Sequence, residues 1–407
     1  MSWENTYAQV LGGEPPEVER PSSIDEVAEV IARAAARGLA VIPWGGGTGQ
    51  AYGYLPRRAD VLLDMTQLNR VVAVEPGDLT FTVEAGATLA QVQNALSAVN
   101  QFLPLDPGHG ACATIGGILA TDAFGPSRTF YGSARDYLIG LTVVDAEGRI
   151  VKGGGKVVKN VTGYDTPKLH VGALGTLGVI VEATFKVVPR PEVSRALWFE
   201  LPGEAGGSVD GIAAFLARIV GETAPALGLV RDMTGNRVAA FIYSGTAPVV
   251  ESGREAALAI AETAGVPPTP AAPAGMDRPF TDCPAPPEAL VFRISGLPAT
   301  EFARHDALAR LFAPVLTRLD TFPGCGQTEI VLPSDLDAVA VARHLVEWAA
   351  ANGASVTVPQ APPELRARDT GVSLWSPLPP SLPLMKRLKM TLDPAGTINP
   401  GRFIDGI

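Results

Sequence analysis

Three glycine-rich stretches between short apolar runs constrain this 407-residue chain more than any other feature. The first, Pro43-Trp-Gly-Gly-Gly-Thr-Gly49, follows directly on the apolar run 39–42. The second leads from Pro107-Gly108 to Thr114-Ile-Gly-Gly117, with Gly125 and Tyr131-Gly132 behind it. The third sets Gly172, Gly175 and Gly178 ahead of Val179-Ile180. A glycine backbone approaches an anion or a ring closely, and successive N–H groups make a nest for a diphosphate. Neither common phosphate motif fits. No Gly-Lys-Ser/Thr follows the first run, and G-x-G-x-x-G fails at Gln50. Gly108 to Ala113 satisfies G-x-G-x-x-A, but Pro107 stands where a strand should lead in. Gly116-Gly117 is expected to break the helix that such a motif needs. Three loops of this kind predict one long ligand, lying extended and touched largely by backbone.

The segments around the loops are short and alternate. Ser23-Ile-Asp-Glu26 reads as a capping box, and Val27, Val30, Ile31 and Ala34 follow at helical spacing up to Gly38. Strands are expected at 39–42, 61–64, 71–75 and 79–84, and a helix at 89–99. The stretch 105–132 reads as irregular. Strands return at 138–144 and 150–151 around the turn Asp145-Ala-Glu-Gly148, and again at 179–188. Beyond Pro191 the texture changes. Strand-like runs at 196–201, 238–244, 290–294 and 327–332 alternate with Ala-rich helices at 212–219, 251–264, 301–312 and 336–351. The Pro/Ala-rich stretch 267–287 reads as a loop or linker. The fold class is α+β.

Charge and cysteine content exclude several functions. The net charge of −10 disfavours a phosphate backbone, so no nucleic-acid partner is expected. Cys112, Cys283 and Cys325 form no C-x-x-C pair, so neither a zinc site nor a cysteine-ligated iron–sulfur cluster is expected here. An odd, sparse count suits a reducing compartment. The first twenty residues lack a basic start followed by an apolar run, and no apolar stretch reaches about 20 residues. A cytoplasmic protein with no direct membrane span is expected.

The order of these motifs resembles a known family. P-x-G-G-G-T-G, then P-G-x5-T-I-G-G, then Y-G-x2-R-D, then G-x2-G-T-L-G-V-I is similar to the FAD-binding domain of vanillyl-alcohol-oxidase-type (PCMH-type) flavoproteins. Lys159-Asn-Val-Thr-Gly-Tyr-Asp165 and Asn399-Pro-Gly-Arg402 resemble the glycolate dehydrogenase (glycolate oxidase) group, and within it the FAD-binding E subunit. The resemblance covers about 20–191 and the last twenty residues. It implies a two-lobed first domain over 1–191, a smaller α+β cap over 192–380, and a segment 381–407 that returns to the first domain. It also implies FAD as cofactor. Pro43, Gly45, Gly46, Gly47, Thr48 and Gly49 would hold the diphosphate. Pro107, Gly108, Thr114, Gly116 and Gly117 would line the flavin and ribityl side. Gly125 and Gly132 would let their loop pass close to the ring, and Gly178, Val179 and Ile180 would meet the adenine end.

This chain departs from the family pattern in three places. Trp44 stands where many relatives have Arg, so one cation near the diphosphate is missing. Gly172-Ala-Leu-Gly175 replaces the G-S-E-G of catalytic relatives. Residues 43–49 contain no His, so the FAD should be non-covalent. His109 and Cys112 lie in the second loop. A loop histidine bonded to backbone or solvent and a small buried cysteine is the expectation, contact with the ring the alternative. Asp165 is expected to cap the turn at Pro167.

Oxidising a 2-hydroxy acid needs a base for the hydroxyl proton and a cation for the carboxylate. His109, His170, His305 and His344 are scattered, and no metal site is expected. Arg231, Arg293 and Arg343 are candidate anion clamps or ordinary surface arginines. No catalytic residue is assigned. The resemblance implies an FAD-dependent oxidoreductase acting as a subunit of a glycolate dehydrogenase complex that makes glyoxylate. A catalytic flavoprotein subunit and an iron–sulfur subunit are the implied partners, and any attachment to the inner membrane would come through them. A self-sufficient 2-hydroxy-acid dehydrogenase and a flavin-free scaffold are the alternatives.

Overall fold

The computed structural model describes residues 11, 16–156, 164–202, 208–233, 236–270, 272 and 285–407. Positions 159–163 of the Lys159–Asp165 motif, Cys283 and most of the Pro/Ala-rich stretch lie outside the described residues. The chain forms two compact units. Residues up to 124, 133–190 and 360–407 make the first, and residues 125–132 and 191–359 make the second. The second unit thus ends at 359 where the sequence suggests 380, and it includes the segment from Gly125 to Gly132.

The first unit has two lobes. Strands β1 (Glu17–Glu19), β2 (Val41–Trp44) and β3 (Val61–Asp64) form a parallel sheet in the order β1-β3-β2. Strands β4 (Val71–Glu75), β5 (Thr80–Glu84), β6 (Leu138–Val144), β7 (Ile150–Gly154) and β8 (Val179–Lys186) form an antiparallel sheet in the order β4-β5-β8-β6-β7. Helix α1 (Ile24–Ala36) joins them. Its buried stripe Val27, Val30, Ile31 and Ala34 meets Val41, Val61 and Leu63 from one sheet and Val144, Val179 and Val181 from the other. Each buried Val or Ile there contributes roughly 2 kcal/mol. The Ser23 hydroxyl caps α1 by accepting from the Glu26 amide at 3.2 Å, and Gly38 at φ 65° ends it. The Glu26 carboxylate accepts from the Ser22 amide instead of closing the expected box.

Helix α2 (Leu89–Ser97) starts with a complete capping box between Thr88 and Gln91. Helix α3 (Ile115–Thr121) corrects the sequence reading, because Gly116-Gly117 does not break it. The Thr114 hydroxyl accepts from the Gly117 amide at 3.3 Å. Both glycines lie in the first turn, where a Cβ on Gly116 would stand 3.0 Å from that of Ala85. The bare helix face is what lets α3 press against residue 85.

In the second unit β9 (Val193–Glu200), α4 (Val209–Thr223), β10 (Leu227–Met233), β11 (Asn236–Gly245), α5 (Ala247–Ala264), β12 (Leu290–Ser295), α6 (Glu301–Phe312), β13 (Arg318–Phe322), β14 (Gln327–Leu332), α7 (Ala338–Ala351) and β15 (Ser355–Gln360) follow in order. The strands are arranged β9-β11-β10-β13-β14-β12-β15. Strands β10, β13 and β15 had no counterpart in the sequence reading. One face of the sheet carries Phe199, Phe241 and Tyr243 against Phe215 and Ile219 of α4 and Ile260 of α5. The alternate residues carry charge. Arg231 stands opposite Asp320, Asp320 opposite Glu329, and Glu329 opposite Arg293 on successive strands.

Candidate functional site

Strand β2 ends at Trp44, and the first glycine loop leaves the sheet there to form one wall of an open cleft. Three loop glycines lie against the second loop and α3. A Cβ on Gly45 would stand 2.2 Å from the Thr114 hydroxyl, and one on Gly46 1.9 Å from the Cys112 carbonyl oxygen. One on Gly49 would stand 2.7 Å from the Thr121 methyl group. Side chains at 45 and 46 would therefore drive the two loops apart. Gly47 has φ 76°, which an L residue adopts at a cost. None of the amides of Gly45 to Gly49 donates to an acceptor among the described residues. Successive unspent N–H donors along a cleft wall are what an anionic diphosphate requires.

The remaining wall comes from all three glycine stretches and the segment after Thr397. Pro43, Gly45, Gly46, Gly47, Thr48 and Gly49 line the cleft, as do Thr114, Gly116 and Gly117, and Gly178, Val179 and Ile180. Four residues of the sequence assignment do not. Pro107 and Gly108 are absent from the lining, in a turn that packs on α2 through a bond from the Ala90 amide to the Gly110 carbonyl. Gly125 and Gly132 bound the segment that belongs to the second unit.

The site residues that sequence reasoning left out come chiefly from the Asn399–Arg402 motif. Asn399 lines the cleft and donates through its side-chain amide to the Leu174 carbonyl at 2.8 Å. Its Oδ1 is buried with no partner among the described residues, so it presents a fixed acceptor. Arg402 also lines the cleft and is 2 % exposed. Its guanidinium donates to Gln50 Oε1 at 3.1 Å and to the Tyr52 carbonyl at 2.8 Å. The cation that Trp44 does not supply thus reaches the cleft from the far end of the sequence. The quoted motif Asn399-Pro-Gly-Arg402 was the available signal.

Buried Lys389 braces this wall. Its ammonium donates to the Thr176 carbonyl at 2.7 Å, the Ile398 carbonyl at 2.9 Å and Asp393 Oδ2 at 2.6 Å. Asp393 in turn accepts from the amides of Thr397 and Ile398. Ile398 bridges in parallel to Val41 of β2. Burial pushes the Lys389 pKa below its ordinary value, against the pull of Asp393.

Among the described residues, the cleft lining contains no carboxylate, imidazole, thiol, phenol or amine. Leu174, at φ 50°, lines the cleft as a hydrocarbon. Among the described residues no three His, Cys, Asp or Glu side chains are grouped to hold a metal. His170 is half-buried beside Gly178, and desolvation lowers its pKa to about 4. Fully buried His305 bonds through Nδ1 to the Thr321 hydroxyl at 2.9 Å. Cys112 is exposed, contrary to the expected buried thiol. Asp165 does not cap the turn but pairs with Lys168 at 2.6 Å. Arg231 and Arg293 are neither surface groups nor open clamps. Arg231 grips Asp320 at 2.6 and 2.8 Å, and Arg293 grips Glu329 at 2.7 Å. Arg343 is an exposed residue of α7.

Comparison with known proteins agrees with this geometry. Residues 15–154 match the family model described as an FAD-binding domain. The glycolate oxidase subunit GlcD of Bacillus subtilis is 35% identical over 183 residues, 45% of this chain and 39% of the relative. The glycolate oxidase subunit GlcE of Escherichia coli is 39% identical over 140 residues, 34% of this chain and 40% of the relative. The chain therefore spans about two fifths of the length of the curated relatives it matches. The structure of p-cresol methylhydroxylase superposes with a TM-score of 0.73 at 16% identity, covering 95% of this chain and 88% of that one. The fold is the two-lobed FAD-binding fold of the vanillyl-alcohol-oxidase and p-cresol-methylhydroxylase type, with a smaller α+β cap. The chain carries an FAD-binding domain related to those of glycolate oxidase subunits and of D-lactate and D-2-hydroxyglutarate dehydrogenases.

Proposed function

We propose that this FAD-binding flavoprotein is the FAD-carrying, non-substrate-oxidising subunit of a complex that oxidises glycolate to glyoxylate. The observation that carries the reading is the cleft itself, whose wall offers backbone N–H donors and, among the described residues, no group to take a proton. The amides of Gly45 to Gly49 would hold the diphosphate, with Pro43 fixing the loop's start and Thr48 adding a hydroxyl. Arg402 would contribute positive charge near them, and Asn399 Oδ1 would accept from an N–H or O–H of the cofactor. Thr114, Gly116 and Gly117 would shape one side of the cleft, and Gly178, Val179 and Ile180 the other. Bound FAD would supply electron acceptance and release. Residues 43–49 offer no histidine, which supports a non-covalent cofactor.

Proton abstraction from a 2-hydroxy acid then falls to a partner flavoprotein subunit. Three cysteines cannot ligate a four-cysteine cluster, so electron export falls to an iron–sulfur subunit. No helix among the described residues is long and apolar enough to cross a membrane, which suits attachment, where it occurs, through a partner.

The test is an absorption spectrum of the purified chain, first alone and then with glycolate. The expected result is an oxidised flavin spectrum that glycolate leaves unchanged, and bleaching when partner subunits are co-expressed. Bleaching of the lone chain would overturn the subunit reading in favour of a self-sufficient 2-hydroxy-acid dehydrogenase. Absence of flavin would favour a scaffold. Yellow colour remaining with acid-precipitated protein would overturn non-covalent binding.

A further inference from the structure

A shallow depression on the surface of the first unit gathers positive charge in a chain whose net charge is −10. Arg57, Arg366 and Arg368 line it against a single carboxylate, Asp369. Neither Arg57 nor Arg368 has a carboxylate within ion-pair distance among the described residues. Both are nevertheless held in place. Arg57 donates through Nη2 to the Gly406 carbonyl at 3.0 Å, and Arg368 through Nη2 to the Gly401 carbonyl at 2.6 Å. Arg368 also lies over the Tyr54 ring, 5.9 Å from its centroid. Behind them Arg366 is fully buried, donating to the carbonyls of Gly53 at 2.7 Å and Gln50 at 2.9 Å.

The two outer guanidiniums converge. A Cβ on Gly406 would stand 2.9 Å from Arg368 Nη1 and 3.3 Å from Arg57 Nη2. Glycine at 401 and 406 is therefore what lets both forks cross the segment. Like charges this close repel. Burial lowers the Arg368 pKa, and the charge of Arg57 lowers it further. Both are exposed surface arginines, and each is oriented by a bond to a backbone carbonyl. Each guanidinium carries five N–H donors, and one on each is engaged by a backbone carbonyl. Two planar forks held side by side match an oxyanion, whose oxygens accept paired N–H groups and whose charge cancels the repulsion.

We propose that Arg57 and Arg368, backed by Arg366, form a binding site for an oxyanion group, the carboxylate or phosphate of a small molecule, separate from the FAD cleft. The site goes beyond the proposed cofactor function and does not depend on it. The test uses the full chain as purified. Inorganic phosphate and acetate are each titrated by calorimetry at constant ionic strength, with chloride as the replaced ion. Saturable binding of one or both is expected, and the stronger one identifies the group. Arg57→Gln and Arg368→Gln should each weaken binding by at least about tenfold, the size of a lost charge-assisted pair. Arg343→Gln, on an exposed helix face, should change nothing. Because Arg368 also holds the 401–406 segment, Arg368→Gln is read only if its circular dichroism matches wild type. Phosphate or acetate should also protect Arg57 and Arg368 from phenylglyoxal, read by peptide mass, which needs no variant. Binding no stronger than that of chloride, wild-type affinity in folded Arg57→Gln, or equal modification with and without anion would each overturn the site.

Discussion

The two units of this chain bury polarity in opposite ways. The cleft of the first unit is walled by backbone, small side chains and a few amides, and its N–H groups from Gly45 to Gly49 are unspent among the described residues. The second unit buries whole ionic groups and spends them on one another. Arg231 and Asp320 form a bidentate pair at 4% and 5% side-chain exposure. Arg318 joins Asp320 at 3.1 Å, and Arg237 links Asp232 to Asp306. Burial alone would raise the Asp320 pKa, but Arg231 and Arg318 outweigh it and hold the carboxyl below its ordinary range. Donors without partners along a cleft wall suit a ligand, and buried ions spent on one another fix a fold. The richest charge cluster is therefore the poorer guide to the cofactor.

The largest effect should come from breaking the paired region. Arg231→Met leaves Asp320 without its bidentate partner, and removing one partner of a buried pair costs about 3–5 kcal/mol. Urea unfolding should show that loss, while flavin per folded chain stays at the wild-type value. Loss of flavin with stability intact would reverse the roles assigned to the two regions. Next comes the unspent region. Gly46→Val drives a branched side chain into the Cys112 carbonyl, so flavin content should fall by at least about tenfold. Wild-type flavin content in that variant would mean that the loop is scaffold and the diphosphate lies elsewhere.

A pH effect of intermediate size belongs to the first unit. His170 has a folded pKa of about 4 against an ordinary value of 6.5, because burial disfavours its charge. The unfolded chain then binds the proton more tightly, so this contribution is complete above about pH 6.5 and is lost as pH falls toward 4. Between pH 7 and pH 5 the loss should be about 2 kcal/mol, following the 1.36 kcal/mol carried by each pKa unit. Chemical denaturation at the two pH values, in wild type and His170→Asn, measures it, and an equal slope in both would acquit this histidine. The smallest effect should be that of Thr88→Ala, which removes a cap from α2 and costs about 1 kcal/mol. Its flavin content should not change. A parallel drop in flavin would show that cap and cleft are not separable.

Much of the first unit was legible because local chemistry dictates it. Ser23 and Gly38 bracket α1, Asp145 to Gly148 turns β6 into β7, and Pro43 to Gly49 follows its strand as expected. Helix α3 was not legible, since Gly116-Gly117 disfavours a helix in isolation and only the contact with Ala85 repays it. Strands β10 and β13 were missed for a related reason. Arg231, Asp232, Arg318 and Asp320 interrupt their apolar pattern, and they become strand residues only once each charge meets its partner. In the site, glycine spacing drew attention to the first loop, and only the family resemblance gave its residues their separate places. Arg402 is 352 residues from the Gln50 it bonds, a juxtaposition that no local pattern encodes.

The pairing of Ile398 with Val41 sets an order on synthesis. A chain made from its N-terminus folds domain by domain as it emerges. Here the cleft wall waits for residues 397–402, which appear only after every residue of the second unit. During translation the cap sheet has all its strands before the cofactor cleft has all its walls. A nascent chain stalled before residue 397 would hold the glycine loops without the part of the wall that Asn399 and Arg402 supply.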